Sequence, residues 1–149
     1  MSTHMEIERR FLVDGRTQKP WRSEAKSIHN IEQYYLQASN LNLDADGYLC
    51  LSDVIMIRPS EEEIVIFQSQ PDWIPRIRIK DGVSIFTVKG QRQGASGLEL
   101  EWIVEDAAAA SVLQWGPFPN VQKTRYCVVG VAAFILEIDE FECELSGLI

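Results

Sequence analysis

Charged and polar side chains spaced two residues apart recur in six short segments of the chain. Glu6, Glu8 and Arg10 form the first set, and Arg76, Arg78 and Lys80 the second. Thr87 with Lys89, Glu99 with Glu101, Lys123 with Arg125, and Glu137 with Asp139 make up the rest. Apolar residues fill positions between them, among them Ile7, Ile77, Ile79, Val88, Leu100, Trp102 and Ile138. Successive side chains of a strand point to opposite faces, so the spacing predicts strands with one charged face and one face suited to packing. The basic set suits phosphate oxygens, because Arg offers a planar fork for bidentate binding and Lys a compact point charge. The acidic set suits a hard divalent cation such as Mg²⁺ or Mn²⁺, which prefers carboxylate and water oxygens and commonly bridges protein to substrate phosphate. A single such pair is ordinary strand surface or a cross-strand ion pair. Six of them leave two readings open: a site for a metal–polyphosphate complex, and a charge-laced sheet surface.

The elements that must position these groups are mainly strands. Alternation predicts them near Met5–Val13, Ile31–Gln37, Gly47–Leu51, Ile64–Gln68, Trp73–Lys80, Val83–Lys89, Gly97–Val104, Lys123–Val129 and Ala133–Phe141. Lys80-Asp81-Gly82-Val83 reads as a tight hairpin, since Asp-Gly supplies the positive φ angles of a primed turn. Alanine-rich Asp106–Trp115 is an expected helix that stops at Gly116-Pro117, and Thr17–Asn30 a second, capped by Thr17. The less regular stretch Leu41–Pro75 reads as an inserted hairpin or arm within a single domain spanning the chain. If the strands close into an antiparallel barrel, about eight of them enclose a lumen wide enough for side chains or one small ligand. Arg10, Arg76, Arg78, Lys89, Lys123 and Arg125 would then face Glu6, Glu8, Glu101, Glu137 and Asp139 across it. Buried charge is costly unless paired or liganded.

The chain has 149 residues, 14 Lys and Arg against 22 Asp and Glu, and a formal net charge of −8. That length suits one domain. The acidic balance argues against nucleic acid and against an anionic membrane as partners. It does not exclude a small chelated polyanion, because between Arg76 and Arg92 five basic residues stand against the single acid Asp81. No run of about 18 apolar residues and no secretory leader pattern occurs, so the expected location is cytoplasmic. Cys50, Cys127 and Cys143 lack metal or disulfide spacing, and His4 and His29 are too few for a histidine-based site.

Seven strings, in chain order, resemble the CYTH superfamily, also called triphosphate tunnel metalloenzymes. The first, Glu6-Ile7-Glu8-Arg9-Arg10-Phe11-Leu12-Val13, is similar to its E-x-E-x-K signature. The others are Gln33-Tyr34-Tyr35-Leu36, Arg76-Ile77-Arg78-Ile79, Phe86-Thr87-Val88-Lys89-Gly90, Leu98-Glu99-Leu100-Glu101-Trp102, Lys123-Thr124-Arg125-Tyr126 and Glu137-Ile138-Asp139-Glu140-Phe141. The resemblance implies an α+β, mainly β fold: an antiparallel eight-stranded closed barrel with a few flanking helices. It implies Mg²⁺ or Mn²⁺ on Glu6, Glu8, Glu101 and Asp139. A small triphosphate would be gripped by Arg10, Arg76, Arg78, Lys89, Lys123 and Arg125, with Arg10, Glu8 and Glu101 in catalytic roles.

The implied activity is a divalent-metal-dependent triphosphatase, converting inorganic triphosphate to diphosphate and phosphate. Thiamine triphosphatase, class IV adenylyl cyclase and a non-catalytic polyphosphate-binding module are the alternatives. The chain departs from the family pattern in three places. Arg10 stands where the signature has lysine, and no Arg immediately precedes Glu99. The chain ends at Ile149, where the family continues past Gly147-Leu148 into another carboxylate-bearing strand, so the barrel is expected to lack its C-terminal part. Such a barrel has an unpaired edge that invites a partner strand, as in a homodimer.

Overall fold

Strand β6 (Ile74–Lys80) and strand β7 (Val83–Gln93) are joined by the two-residue turn Asp81-Gly82. Asp81 and Gly82 both take positive φ, 51° and 81°. These are the angles of a primed turn whose twist matches the flanking strands, as the Asp-Gly pair predicts. The Asp81 carboxylate accepts from the Asn30 backbone N–H at 2.8 Å and contacts His29 Nδ1 at 2.7 Å. The turn is thereby tied to the neighbouring strand.

The computed structural model describes residues 5–11, 18–130 and 134–142. The main sheet also contains β1 (Met5–Ile7), β2 (Ser27–Tyr35), β8 (Ser96–Ile103), β9 (Asn120–Val129) and β10 (Ile135–Phe141). Its seven antiparallel strands run in the order β1-β8-β7-β6-β2-β9-β10. Among the described residues β1 and β10 are the two edges, and the sheet is a curled half-barrel rather than the expected closed barrel of eight strands. Closure requires the two edge strands to pair. Among the described residues β1 pairs only with β8, over three residues, and β10 only with β9. Alternation specifies which face a side chain takes, and it carries no information about whether the edges meet.

Register places the charged set on one face. Arg76 is opposite Thr87 on β7 and Tyr35 on β2, and Thr87 is opposite Glu101 on β8. Arg78 is opposite Gln33, Lys89 opposite Glu99, and Arg125 lies between His29 and Asp139. The reverse face of β6, β7 and β8 carries Ile77, Phe86, Val88 and Leu100, all fully buried. Over them lie a three-stranded meander and two helices. The meander is β3 (Leu41–Leu43), β4 (Leu49–Leu51) and β5 (Val54–Ile57). The helices are α2 (Glu61–Gln68) and α3 (Asp106–Leu113). Leu49, Leu51, Met56, Ala109 and Val112 complete the core. Burying a side chain of Leu or Ile size contributes about 1.5–3 kcal/mol, so this layer fixes the β6–β7–β8 backbone beneath the charged face.

Three segments differ from expectation. The first expected strand, Met5–Val13, is strand only over Met5–Ile7, and the described residues Glu8–Phe11 are not strand. Ile64–Gln68 is the end of α2, not a strand. Ser60 accepts from the Glu63 N–H and Glu63 from the Ser60 N–H, a reciprocal cap that starts a helix before the β-branched run can extend. Thr17–Asn30 is helical only at α1 (Trp21–Glu24), because the alternation that defines β2 already begins at Ser27. Here Trp21 is buried and Arg22 grips Glu140 of β10 at 2.7 and 2.9 Å. Thr17, the end of the first expected strand at Val13, Cys143 and Gly147-Leu148 lie outside the described residues. No helix among the described residues is long and apolar enough to cross a membrane.

Candidate functional site

The alternation of β6 sends Arg76 and Arg78 to the charged face while Ile77 enters the core, so two guanidinium groups are anchored on a rigid strand. Arg76 is 7% exposed. Its nearest carboxylate contact is a long one, Nη2 to Glu99 Oε1 at 3.9 Å, and its Nε has no hydrogen-bond partner among the described residues. Burial pushes its pKa down, and the neighbouring charge of Arg78 adds to this. Thr87, opposite it in register, is fully buried and its Oγ1 also lacks a partner among the described residues. Two buried polar groups capable of donating thus stand at paired positions of adjacent strands without a partner among the described residues.

Arg78 is held differently. Its Nε donates to Gln33 Oε1 at 3.1 Å, and the Gln33 amide N–H donates to the Tyr35 hydroxyl at 2.7 Å. Gln33 is 3% exposed. Among the described residues Arg78 forms no ion pair. Its charge pushes down the pKa of Lys123 as well as that of Arg76, so its field reaches both basic clusters.

On β9 and β10 the basic groups are compensated. Arg125 donates from Nε and Nη2 to the two oxygens of Asp139 at 2.8 and 3.0 Å, and Lys123 Nζ lies 2.8 Å from Asp139 Oδ2. Arg125 also meets Glu137 at 3.1 Å. Burial alone would raise the Asp139 pKa; the hydrogen bonds from Arg125 and Lys123 reverse this and hold it below the usual carboxylate value. Burial likewise opposes the charge of Arg125, yet Asp139 and Glu137 raise its pKa. Lys123 is pushed down by burial and by Arg125 and Arg78, which the shared Asp139 does not offset.

The remaining expected residues are dispersed. Lys89 pairs with Glu99 at 3.3 Å. Arg10, its side chain 78% exposed, lies beyond β1 and pairs with Glu8 at 3.3 Å; Arg92 reaches Glu8 at 3.9 Å. The Glu8 N–H bonds to the Ala95 carbonyl, six residues along the chain from Glu101, or about 20 Å at strand rise. Glu6 pairs through its backbone with Gly97, and its side chain lies outside the described set. Asp139 is on β10, five strand positions from Glu101 on β8. Among the described residues no three His, Cys, Asp or Glu side chains gather as a metal site.

Gln33 and Thr87 are not among the residues expected at the site, although both stand in the quoted strings. The available signal is a polar residue at an inward position of an alternating strand. Glu99, which meets both Lys89 and Arg76, likewise sits closer to the basic groups than the expected Glu101.

No family model, no curated protein and no solved structure matches the chain.

Proposed function

We propose that the curved charged face binds a small triphosphate as its Mg²⁺ or Mn²⁺ chelate and hydrolyses it, inorganic triphosphate giving diphosphate and phosphate. The observation that carries this reading is the buried Arg76 guanidinium, its Nε unpartnered among the described residues, beside the unpartnered Thr87 hydroxyl and the fork of Arg78. Leaving buried donors unsatisfied costs about 1–3 kcal/mol each, which an anionic oxygen would recover. In the reaction, water attacks the terminal phosphorus, the bridging P–O bond breaks, and diphosphate leaves. Fixed guanidinium groups offset the charge that spreads over the equatorial oxygens in a loose transition state. The divalent cation belongs to the ligand in this reading, neutralising part of its charge. Glu101 is exposed, on the same register row as Thr87 and Arg76, and without an ion pair among the described residues. In this reading Glu101 is the carboxylate that meets the attacking water.

A second reading, binding without turnover, is favoured by the ion pairs that engage Glu8, Glu99 and Asp139. Phosphate release from inorganic triphosphate with Mg²⁺ or Mn²⁺ separates the two. Turnover that falls at least about tenfold in Arg76→Met supports hydrolysis at this face. Metal-dependent binding by calorimetry without release selects the binding module, and equal rates in wild type and Arg76→Met contradict the assignment.

A further inference from the structure

We infer that Gln33 is a positioning residue that keeps the Arg78 fork aimed while adding no negative charge of its own. This rests on the reading of the curved face as a triphosphate site. Arg78 is half-buried, and the group that fixes its Nε is a neutral amide at 3.1 Å. Holding the guanidinium plane at Nε leaves the two Nη groups, the prongs of the fork, for a ligand. The amide is itself fixed. Gln33 is 3% exposed, its N–H donates to Tyr35 at 2.7 Å, and its strand position faces Arg78 in register. Burial of an amide is tolerated when its oxygen and nitrogen are both bonded, as they are here.

The contrast with Arg125 shows what a carboxylate does at an equivalent place. Asp139 occupies both Nε and Nη2 of Arg125, consuming fork and charge together. Glutamine gives the geometric part of that restraint without the electrostatic part. The choice of amide over acid at position 33 therefore separates positioning from plain structural support.

Two substitutions test it. Gln33→Glu keeps the size and the acceptor but introduces a charge that pairs with Arg78, while Gln33→Met is neutral and cannot fix the fork. A positioning role predicts that affinity for Mg²⁺-chelated inorganic triphosphate, measured by calorimetry, falls in the order wild type, Gln33→Met, Gln33→Glu. The loss in Gln33→Glu is expected to reach about tenfold or more. It also predicts that Gln33→Glu is at least as thermally stable as Gln33→Met, so binding and stability rank the variants in opposite orders. A purely structural role predicts one order for both, with Gln33→Glu nearest wild type, and that result overturns the inference. Absence of triphosphate binding by the wild-type chain overturns instead the functional reading on which it rests.

Discussion

Two basic clusters share the curved face, and they are built on opposite electrostatic terms. On β9 and β10, Lys123 and Arg125 close on Asp139 at 2.8 to 3.0 Å, with Glu137 at 3.1 Å. On β6, Arg76 has among the described residues only a 3.9 Å approach to Glu99, and Arg78 is restrained by a neutral amide. Both clusters come from the same i, i+2 pattern, yet one uses its charge internally and the other holds it in reserve. Compensated buried charge is structural, because removing one partner strands the other. Charge that is fixed but not compensated destabilises the empty protein, and an anion relieves that cost.

The largest expected effect follows from the compensated cluster. Asp139→Ala strands Lys123 and Arg125 and is expected to lower unfolding free energy by about 3 kcal/mol, read from urea denaturation. Next, Arg76→Met removes a buried cation whose Nε has no partner among the described residues. It should leave the empty protein at least as stable as wild type while weakening triphosphate binding about tenfold or more. A stability loss comparable with that of Asp139→Ala would break the distinction between the clusters.

The pH dependence sharpens the same contrast. The Asp139 carboxyl is held below its ordinary value, so its contribution is complete above the usual Asp range near 4 and is lost as pH falls through the lowered value. Stability measured from pH 5 downward should therefore decline in the wild type, and decline less steeply in Asp139→Asn. Smallest is Ser60→Ala at the α2 cap, far in sequence from either cluster. It should cost about 1 kcal/mol in thermal stability and leave triphosphate affinity unchanged.

Period-two alternation made the faces legible: Arg76, Arg78, Thr87 and Lys89 fall where their spacing puts them, with Ile77, Phe86 and Val88 beneath. The Asp81-Gly82 turn and the helix from Asp106 were readable for equally local reasons. Closure was not, since pairing of edges is a property of strands distant in sequence. The α2 helix escaped because Ile64-Val65-Ile66-Phe67 has strand composition, while the deciding Ser60–Glu63 cap lies outside that run. Within the site, residue type alone marked Arg125 and Arg78 as equals. Only the partners brought by neighbouring strands, Asp139 for one and Gln33 for the other, separate them.

That separation is tested most directly by titrating Mg²⁺-chelated inorganic triphosphate into Arg78→Gln and Arg125→Gln, each confirmed as folded by its thermal transition. The expected result is a loss of about tenfold or more in affinity for Arg78→Gln. For Arg125→Gln the affinity should stay within about threefold of wild type, with a lowered transition temperature. Equal losses in the two variants, or a larger one in Arg125→Gln, would contradict the account.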